Sequence, residues 1–489
     1  MFERISVRIL FVSTEITPFA KMGGLGDVSA ALGKYLKLVG HDIRLVMPLY
    51  DFIDRDKFGI KPLSAMQTIG ITMGDKSFSA RIWSAKLPNS ATDVYFVDNA
   101  LLFGRGNVYG SDADEHVRFA FLSRAALELC QRLGWAPQIV HANDWHTALL
   151  PIYLKTLYAW DRLFAQTKTV LTIHNIGYQG VFPVETLGDL GLKSHYAFFD
   201  AYDLYHGRIN FLKNGILQAH KITTVSPTYA KEIQTPEFGN GLDGILRMRR
   251  HDLVGILNGV DYDEWSPQKD PYIPFHYSIR SLHRKRKNKE HLLRQFHWPE
   301  TALQDPLLSI ISRLVEQKGI DLLMGAIKDQ ILRFNARLVV LGSGEKKYEA
   351  FFTDLQEQFP RHVFFFRGYD YPLSHLIEAG ADIFLMPSRY EPCGLNQIYS
   401  LKYGTVPIVR KTGGLADTVR LYDWKNQTGD GFVFENYDVD GLNWALEYAL
   451  TTFPNKKAWQ QIMRNGMQKD FSWQKQVHQY ELLYRQLIS

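Results

Sequence analysis

The chain has 489 residues, more than one hydrophobic core normally serves, so two domains are expected. Hydrophobic residues make up 46% and charged residues 22%, as in a soluble globular protein, and a formal charge of +5 suits the handling of anionic small molecules without arguing for it. Only Cys130 and Cys393 are present, which excludes a disulfide framework and makes a reducing cytosol the simpler reading, and no apolar run approaches the ~20 residues that span a bilayer.

In chain order, Met1–Ser6 carries charges and runs straight into an apolar strand at Val7–Val12, leaving no room for a signal peptide. Strands are expected at Arg8–Ser13, Asp42–Met47, Asp93–Val97, Ile139–Ala142, Thr169–His174 and Lys221–Val225, with a shorter one at Gly255–Leu257. A second series follows at Leu307–Ser312, Arg337–Leu341, Val363–Gly368, Ile383–Pro387, Val406–Val409 and Gly431–Phe434. Several are β-branched or aromatic runs without alternation, as in strands buried on both faces of a parallel sheet. The segments between them, such as Val117–Leu133, read as helices, so the chain is α/β with doubly wound sheets.

The strand–helix rhythm stops after Asn258-Gly259-Val260-Asp261, where Trp265–Pro274 is rich in Pro and Asp. This divides the chain into domains at 1–262 and 263–468. Arg280–Lys289 then holds six Lys or Arg, but no aromatic residues interleave to stack on bases. It reads as a solvated helix near the hinge, with no nucleic-acid partner. The final segment, 469–489, contains Val477, Tyr480, Leu483, Tyr484 and Leu487 at the spacing of an amphipathic helix.

One motif occurs twice. Lys21-Met22-Gly23-Gly24-Leu25-Gly26-Asp27 and Lys411-Thr412-Gly413-Gly414-Leu415-Ala416-Asp417 both read K-x-G-G-L-x-D, and both join a strand to a helix. Glycines at such a junction let backbone N–H groups approach an anion at the positive end of the helix. A copy in each half suggests two α/β domains facing one anionic ligand.

Further candidates stand at strand ends, where open α/β sheets bind ligands. Arg313 and Lys318 follow Leu307–Ile311 and could neutralise a diphosphate. Glu391, in Tyr390-Glu391-Pro392-Cys393-Gly394-Leu395, could accept from sugar hydroxyls or serve as a first-turn acid, whereas Cys393 reads as an inert buried thiol. His141-Ala142-Asn143-Asp144-Trp145-His146 lacks the spacing and partners of a metal site and reads as a polar rim with Trp145 as a stacking face. His174 ends the next strand. Leu341–Lys347 lacks the spacing of an ATPase phosphate loop, and Gly23–Gly26 lacks that of a dinucleotide site.

Taken together, Lys21–Val28, His141–His146, Thr172–Pro183, Asn258–Asp261, Ser312–Gly319, Glu391–Gly404 and Lys411–Val419 resemble the bacterial and plant glycogen (starch) synthases. The resemblance spans nearly the whole chain in the family's order. It implies two Rossmann-like doubly wound domains facing a central cleft, the GT-B plan of glycosyltransferases. It also implies transfer of glucose from ADP-glucose to the non-reducing end of glycogen or another α-1,4-glucan, with retention of configuration. No metal, cofactor, nucleic acid or membrane is expected, and the location is cytoplasmic.

By the same resemblance, Lys21, Gly23 and Gly24 contact the donor diphosphate and sugar, and Arg313 and Lys318 bind the diphosphate from the other domain. His174 lies against the transferred glucose and Glu391 holds its hydroxyls. Gly413 and Gly414 offer amides to the distal phosphate, and Asn258, Gly342, Cys393, Gly394, Leu395 and Thr412 complete the nucleotide-sugar site. Tyr109, Asp144 and Trp145 line the acceptor side, and the last helix returns to the N-terminal domain. Met22, Asn396 and Ser400 depart from the usual Thr, Thr and Gly. The rivals are another retaining glycosyltransferase of the same fold and an inactive glucan-binding scaffold; the intact set Lys21, His174, Arg313, Lys318 and Glu391 argues against the scaffold.

Overall fold

A computed structural model describes residues 6–63, 66 and 68–489, so most of the opening segment behind the signal-peptide expectation, residues 1–5, lies outside the described residues. The chain forms two compact units, Met1–Ile256 with Trp473–Ser489, and Leu257–Ser472.

The strands of the first unit are β1 (Arg8–Val12), β2 (Asp42–Pro48), β3 (Lys61–Pro62), β4 (Ile69–Met73), β5 (Lys76–Lys86), β6 (Asp93–Asp98), β7 (Ile139–Asn143), β8 (Lys168–Ile173), β9 (Val181–Pro183), β10 (Arg208–Asn210), β11 (Lys221–Thr224) and β12 (Leu253–Gly255). The main sheet runs β12-β11-β8-β7-β1-β2-β6-β5-β3, with β4 on β5. From β12 to β6 every neighbour is parallel. Ile9, Leu10, Phe11 and Val12 of β1 are all buried, which explains their unbroken apolar run. From β1 the chain builds outward through β2 and β6, then returns to β7 and builds the other way. The order therefore reverses between β1 and β7, and the loops leaving these two strands flank the site where such sheets bind ligands.

The second unit has β13 (Leu307–Ile311), β14 (Arg337–Gly342), β15 (Val363–Arg367), β16 (Ile383–Met386), β17 (Val406–Arg410) and β18 (Phe432–Phe434) in the order β15-β14-β13-β16-β17-β18. All neighbours are parallel. Leu308 and Ile310 of β13 enter one core layer, while Leu307 and Ile311 enter the layer on the other face. The reversal falls between β13 and β16, so the loops carrying Arg313, Lys318 and Glu391 leave adjacent strands.

Four features differ from the sequence reading. Strand β5 pairs antiparallel with β6 on one side and with β3 and β4 on the other, Gly74-Asp75 joining β4 to β5, and β9 and β10 form a further antiparallel pair. The last strand of the first unit is Leu253–Gly255, displaced from the expected Gly255–Leu257. The unit boundary falls after Ile256 rather than at 262, because Val260 bridges Ser472 and the Val260 amide donates to the Phe471 carbonyl at 2.8 Å.

The basic segment is not simply solvated. Lys285 is buried, and its Nζ donates to the carbonyls of Glu378 and Ala379 and to Thr405 Oγ1 at 2.9, 3.0 and 2.7 Å. Burial lowers its pKa to about 7. Lys289, also buried, pairs with Asp382 at 2.6 Å.

The terminal helix Trp473–Ile488 belongs to the first unit and packs on the helix Gly24–Leu38. Its Tyr484 hydroxyl meets His141 Nδ1 at 2.7 Å.

Candidate active site

In the first unit, the loop after β1 leads through Lys21 and the glycine pair into the helix Gly24–Leu38. An anion does lie on the Met22–Gly23 amides, but it belongs to the protein. Glu15, buried, accepts the amides of Met22 and Gly23 at 2.5 and 3.0 Å, and the Tyr109 hydroxyl donates to its other oxygen. Tyr109 also meets Thr14 Oγ1 at 2.9 Å. In this structure the Gly23 amide is therefore engaged by Glu15. Lys21 pairs with Asp27 at 2.8 Å and remains well exposed. The second motif copy differs, because Lys411 pairs outside the motif, with Glu435 at 2.5 Å.

At the end of β7, Asp144 adopts a left-handed backbone with φ +52°. A non-glycine residue there is uncommon, and such backbones concentrate at functional sites. Its carboxylate accepts the amides of His174 and Asn175 at 2.7 and 3.4 Å, while desolvation raises its pKa to about 7. His174 Nε2 meets Asn143 Oδ1 at 2.9 Å, and desolvation lowers the pKa of this imidazole to about 3, so it is neutral at pH 7. The structure therefore joins Asp144 and His174 directly.

Trp145 is not an open platform. His146 stacks on it with ring centroids 4.1 Å apart, Phe119 meets it edge-on at 5.3 Å, and the backbone of Gly180 lies against the ring. Gly180 has φ +64°, and a Cβ there would collide with the indole. His141 uses both ring nitrogens on hydroxyls, Tyr484 at 2.7 Å and Thr172 at 2.6 Å.

In the second unit, Lys318 Nζ pairs with Glu391 Oε2 at 2.6 Å, and Ser388 Oγ donates to that oxygen at 3.1 Å. Arg313 lies on the same loop as Lys318 with its side chain exposed, and it forms no ion pair among the described residues. Backbone approaches around the pair are close enough to require glycine. A Cβ on Gly413, at φ +43°, would strike the Glu391 carbonyl, and one on Gly414 would strike that of Cys393. Gly342 likewise faces the Ser312 carbonyl. The Gly414 amide donates to the Glu391 carbonyl at 3.1 Å, and the glycine permits this close packing.

Cys393 is buried, and desolvation pushes its thiol pKa up to about 12, which fits the reading of an inert thiol. The Asn258 backbone bonds to it, and the buried Asn258 Oδ1 has no hydrogen-bond partner among the described residues. Gly394, at φ +72°, and Leu395 lead into the helix Asn396–Tyr403, while Thr412 immediately precedes the helix Gly413–Thr418. Asn396 Nδ2 donates to the Ile311 carbonyl at 2.7 Å, tying that helix to the end of β13.

Sequence reasoning missed Glu15. The available signal was a lone acid just past the central strand, at the carboxyl end where ligand loops begin.

Two doubly wound units with cations, a carboxylate and a neutral imidazole at their switch-point loops follow the GT-B plan of glycosyltransferases. Residues 8–248 match the family model described as the starch synthase catalytic domain, and residues 294–466 match glycosyl transferases group 1. The chain is 45% identical over 492 residues to the glycogen synthase of Thermotoga maritima, covering 99% of each. It is 44% identical over 484 residues to glycogen synthase 1 of Geobacter sulfurreducens, covering 98% of this chain and 96% of that one. The catalytic domain of starch synthase IV from Arabidopsis thaliana, solved bound to ADP and acarbose, superposes with a TM-score of 0.90 at 35% identity, covering 99% of this chain and 100% of that one. The chain belongs to the glycogen and starch synthase family: it is a glycosyltransferase with nucleotide-sugar and glucan substrates.

Proposed function

We propose that the chain transfers glucose from ADP-glucose to the non-reducing end of glycogen, in the cytoplasm, with retention of configuration and without a metal. The observation that supports this reading is the Lys318–Glu391 pair at 2.6 Å, a cation suited to phosphate beside a carboxylate suited to sugar hydroxyls. The ADP and acarbose on the starch synthase IV relative support both donor and acceptor classes.

Cleaving the bond between glucose C1 and the diphosphate leaves negative charge on phosphate and positive charge on the sugar ring. In this proposal Arg313, Lys318 and Lys21 stabilise the leaving group electrostatically. Glu391 orients the glucose through its hydroxyls. His174, neutral and fixed by Asn143, hydrogen-bonds the sugar without adding a positive charge beside the developing cation. The glucan 4-hydroxyl attacks from the face the phosphate leaves, and a phosphate oxygen takes its proton.

Donor competition tests this. With glycogen present, nucleoside diphosphate release should favour ADP-glucose over UDP-glucose. Faster release from UDP-glucose would overturn the donor assignment, and a trapped glucosyl–enzyme adduct would overturn the front-face attack.

A further inference from the structure

Glu15, in the loop after β1, is 3% exposed and is held from two sides. One of its oxygens accepts the amides of Met22 and Gly23 at 2.5 and 3.0 Å. The other accepts the Tyr109 hydroxyl. No lysine or arginine pairs with it among the described residues, so two amides and one phenol offset its charge. A buried carboxylate with so few donors is sensitive to the loss of any one, because its desolvation is then less offset.

Tyr109 is the donor in that contact. Burial and the adjacent Glu15 charge hold its pKa well above the ordinary phenol value, so it keeps its proton. Its ring stacks on His146 with centroids 4.7 Å apart, and His146 stacks on Trp145 at 4.1 Å. Its hydroxyl also meets Oγ1 of Thr14, the residue before Glu15, at 2.9 Å. The Thr14 carbonyl in turn accepts the Tyr50 hydroxyl at 3.0 Å. The ring end of Tyr109 thus joins the proposed acceptor side, while its hydroxyl end joins the loop that leads to Lys21 and the glycine pair.

We propose that Glu15 is a positioning residue that couples the acceptor-side ring to the glycine loop. The Tyr109 hydroxyl fixes the carboxylate, and the carboxylate fixes the Met22–Gly23 backbone in the form that receives the sugar nucleotide. The inference rests on the donor and acceptor reading given above. The coupling runs over hydrogen bonds that share one carboxylate, so a change at either end passes to the other. As a free energy of binding it is reciprocal. Tyr109 therefore bears on the affinity for a nucleotide that it has no need to touch.

The test is calorimetric titration of the full chain with ADP and, in parallel, with UDP, with no acceptor present. Tyr109→Phe keeps the ring and its stack and removes only the hydroxyl. Glu15→Gln removes the charge, and the two are also combined. Gly24→Ala reports on the loop itself, since its added Cβ meets nothing within 4 Å. Whichever nucleotide binds the unaltered chain more tightly serves as the probe, so failure of the ADP assignment leaves the readout intact. Tyr109→Phe should raise its Kd about tenfold, and Glu15→Gln at least as much. The double variant should be no weaker than Glu15→Gln alone, because both changes act by one route. An unchanged Kd in Tyr109→Phe beside a raised Kd in Gly24→Ala overturns the coupling and leaves the donor role of the loop standing. An unchanged Kd in both overturns the two together. Losses that multiply in the double variant also overturn the proposal, because they show separate routes. If Glu15→Gln fails to fold, the conservative Tyr109→Phe decides.

Discussion

Lys318 Nζ and Glu391 Oε2 stand 2.6 Å apart, with side-chain exposures of 17% and 7%. Each neutralises the other where water is scarce. Removing either alone leaves a largely buried charge, at a cost of about 3 kcal/mol. Lys318→Ala and Glu391→Ala should each lower the thermal transition, and the double variant should recover part of that loss without recovering turnover. Calorimetry of the three variants checks this; additive losses in the double variant would show that the two groups are not coupled.

The two glycine motifs should respond differently to alanine. A Cβ on Gly413 or Gly414 collides with backbone, whereas one on Gly23 or Gly24 meets nothing within 4 Å. Alanine at 413 or 414 should lower the melting temperature by roughly 4–8 °C and abolish turnover. Alanine at 23 or 24 should leave melting nearly unchanged and raise the KM for the sugar nucleotide about tenfold, as a methyl group enters the surface proposed to meet the donor. Thermal melts with initial rates against donor concentration separate these outcomes; an unchanged KM in both Gly23→Ala and Gly24→Ala would contradict the donor role.

Asp144 gives a pH signature. Its pKa of about 7 in the folded chain stands against 3.8 for the free group, so between these values the native state retains a proton the unfolded chain has lost. Its favourable share is complete below pH 4, falls as pH rises to 7 and is flat beyond. Asp144→Asn keeps a neutral acceptor for the His174 amide and tolerates the left-handed backbone. The stability of this variant relative to the unaltered chain should therefore rise between pH 4 and pH 7, by up to about 4 kcal/mol. Urea unfolding at pH 5 and pH 8 measures the change; a constant difference would contradict it.

The desolvated imidazoles, His141 and His146 buried and His174 half-buried, act with the opposite sign. Desolvation lowers His141, His146 and His174 to about 3, from 6.5 when free. Below pH 6.5 the unfolded chain binds protons that the folded chain refuses, so stability present above that pH is lost as pH falls. Each imidazole contributes up to ~1.4 kcal/mol per pH unit. The urea midpoint should drop between pH 7 and pH 4.5, and His146→Gln should flatten the slope by about one proton. A slope unaltered by that substitution would count against a neutral buried His146.

The parallel strands were legible because unbroken apolar runs such as Ile9–Val12 suit only a strand covered on both faces. The antiparallel strand Lys76–Lys86 was not, because its burial alternates and one face is polar; Gly74-Asp75 was the signal that marked its hairpin. Lys318 and Glu391 were legible because each follows a buried strand on a short loop. Glu15 was not, because Tyr109, which donates to it, lies 94 residues away. Lys285 and Lys289 looked like surface charge for the same reason: among their partners, Glu378 and Asp382 each lie 93 residues further on.

The central claim is that fixed cations stabilise the departing diphosphate. Steady-state ADP release from ADP-glucose with saturating glycogen, measured for Arg313→Ala and Lys318→Ala, tests it most directly. The account predicts that each variant loses ~100–1,000-fold in turnover. Turnover within a few-fold of the unaltered chain in both variants would contradict it.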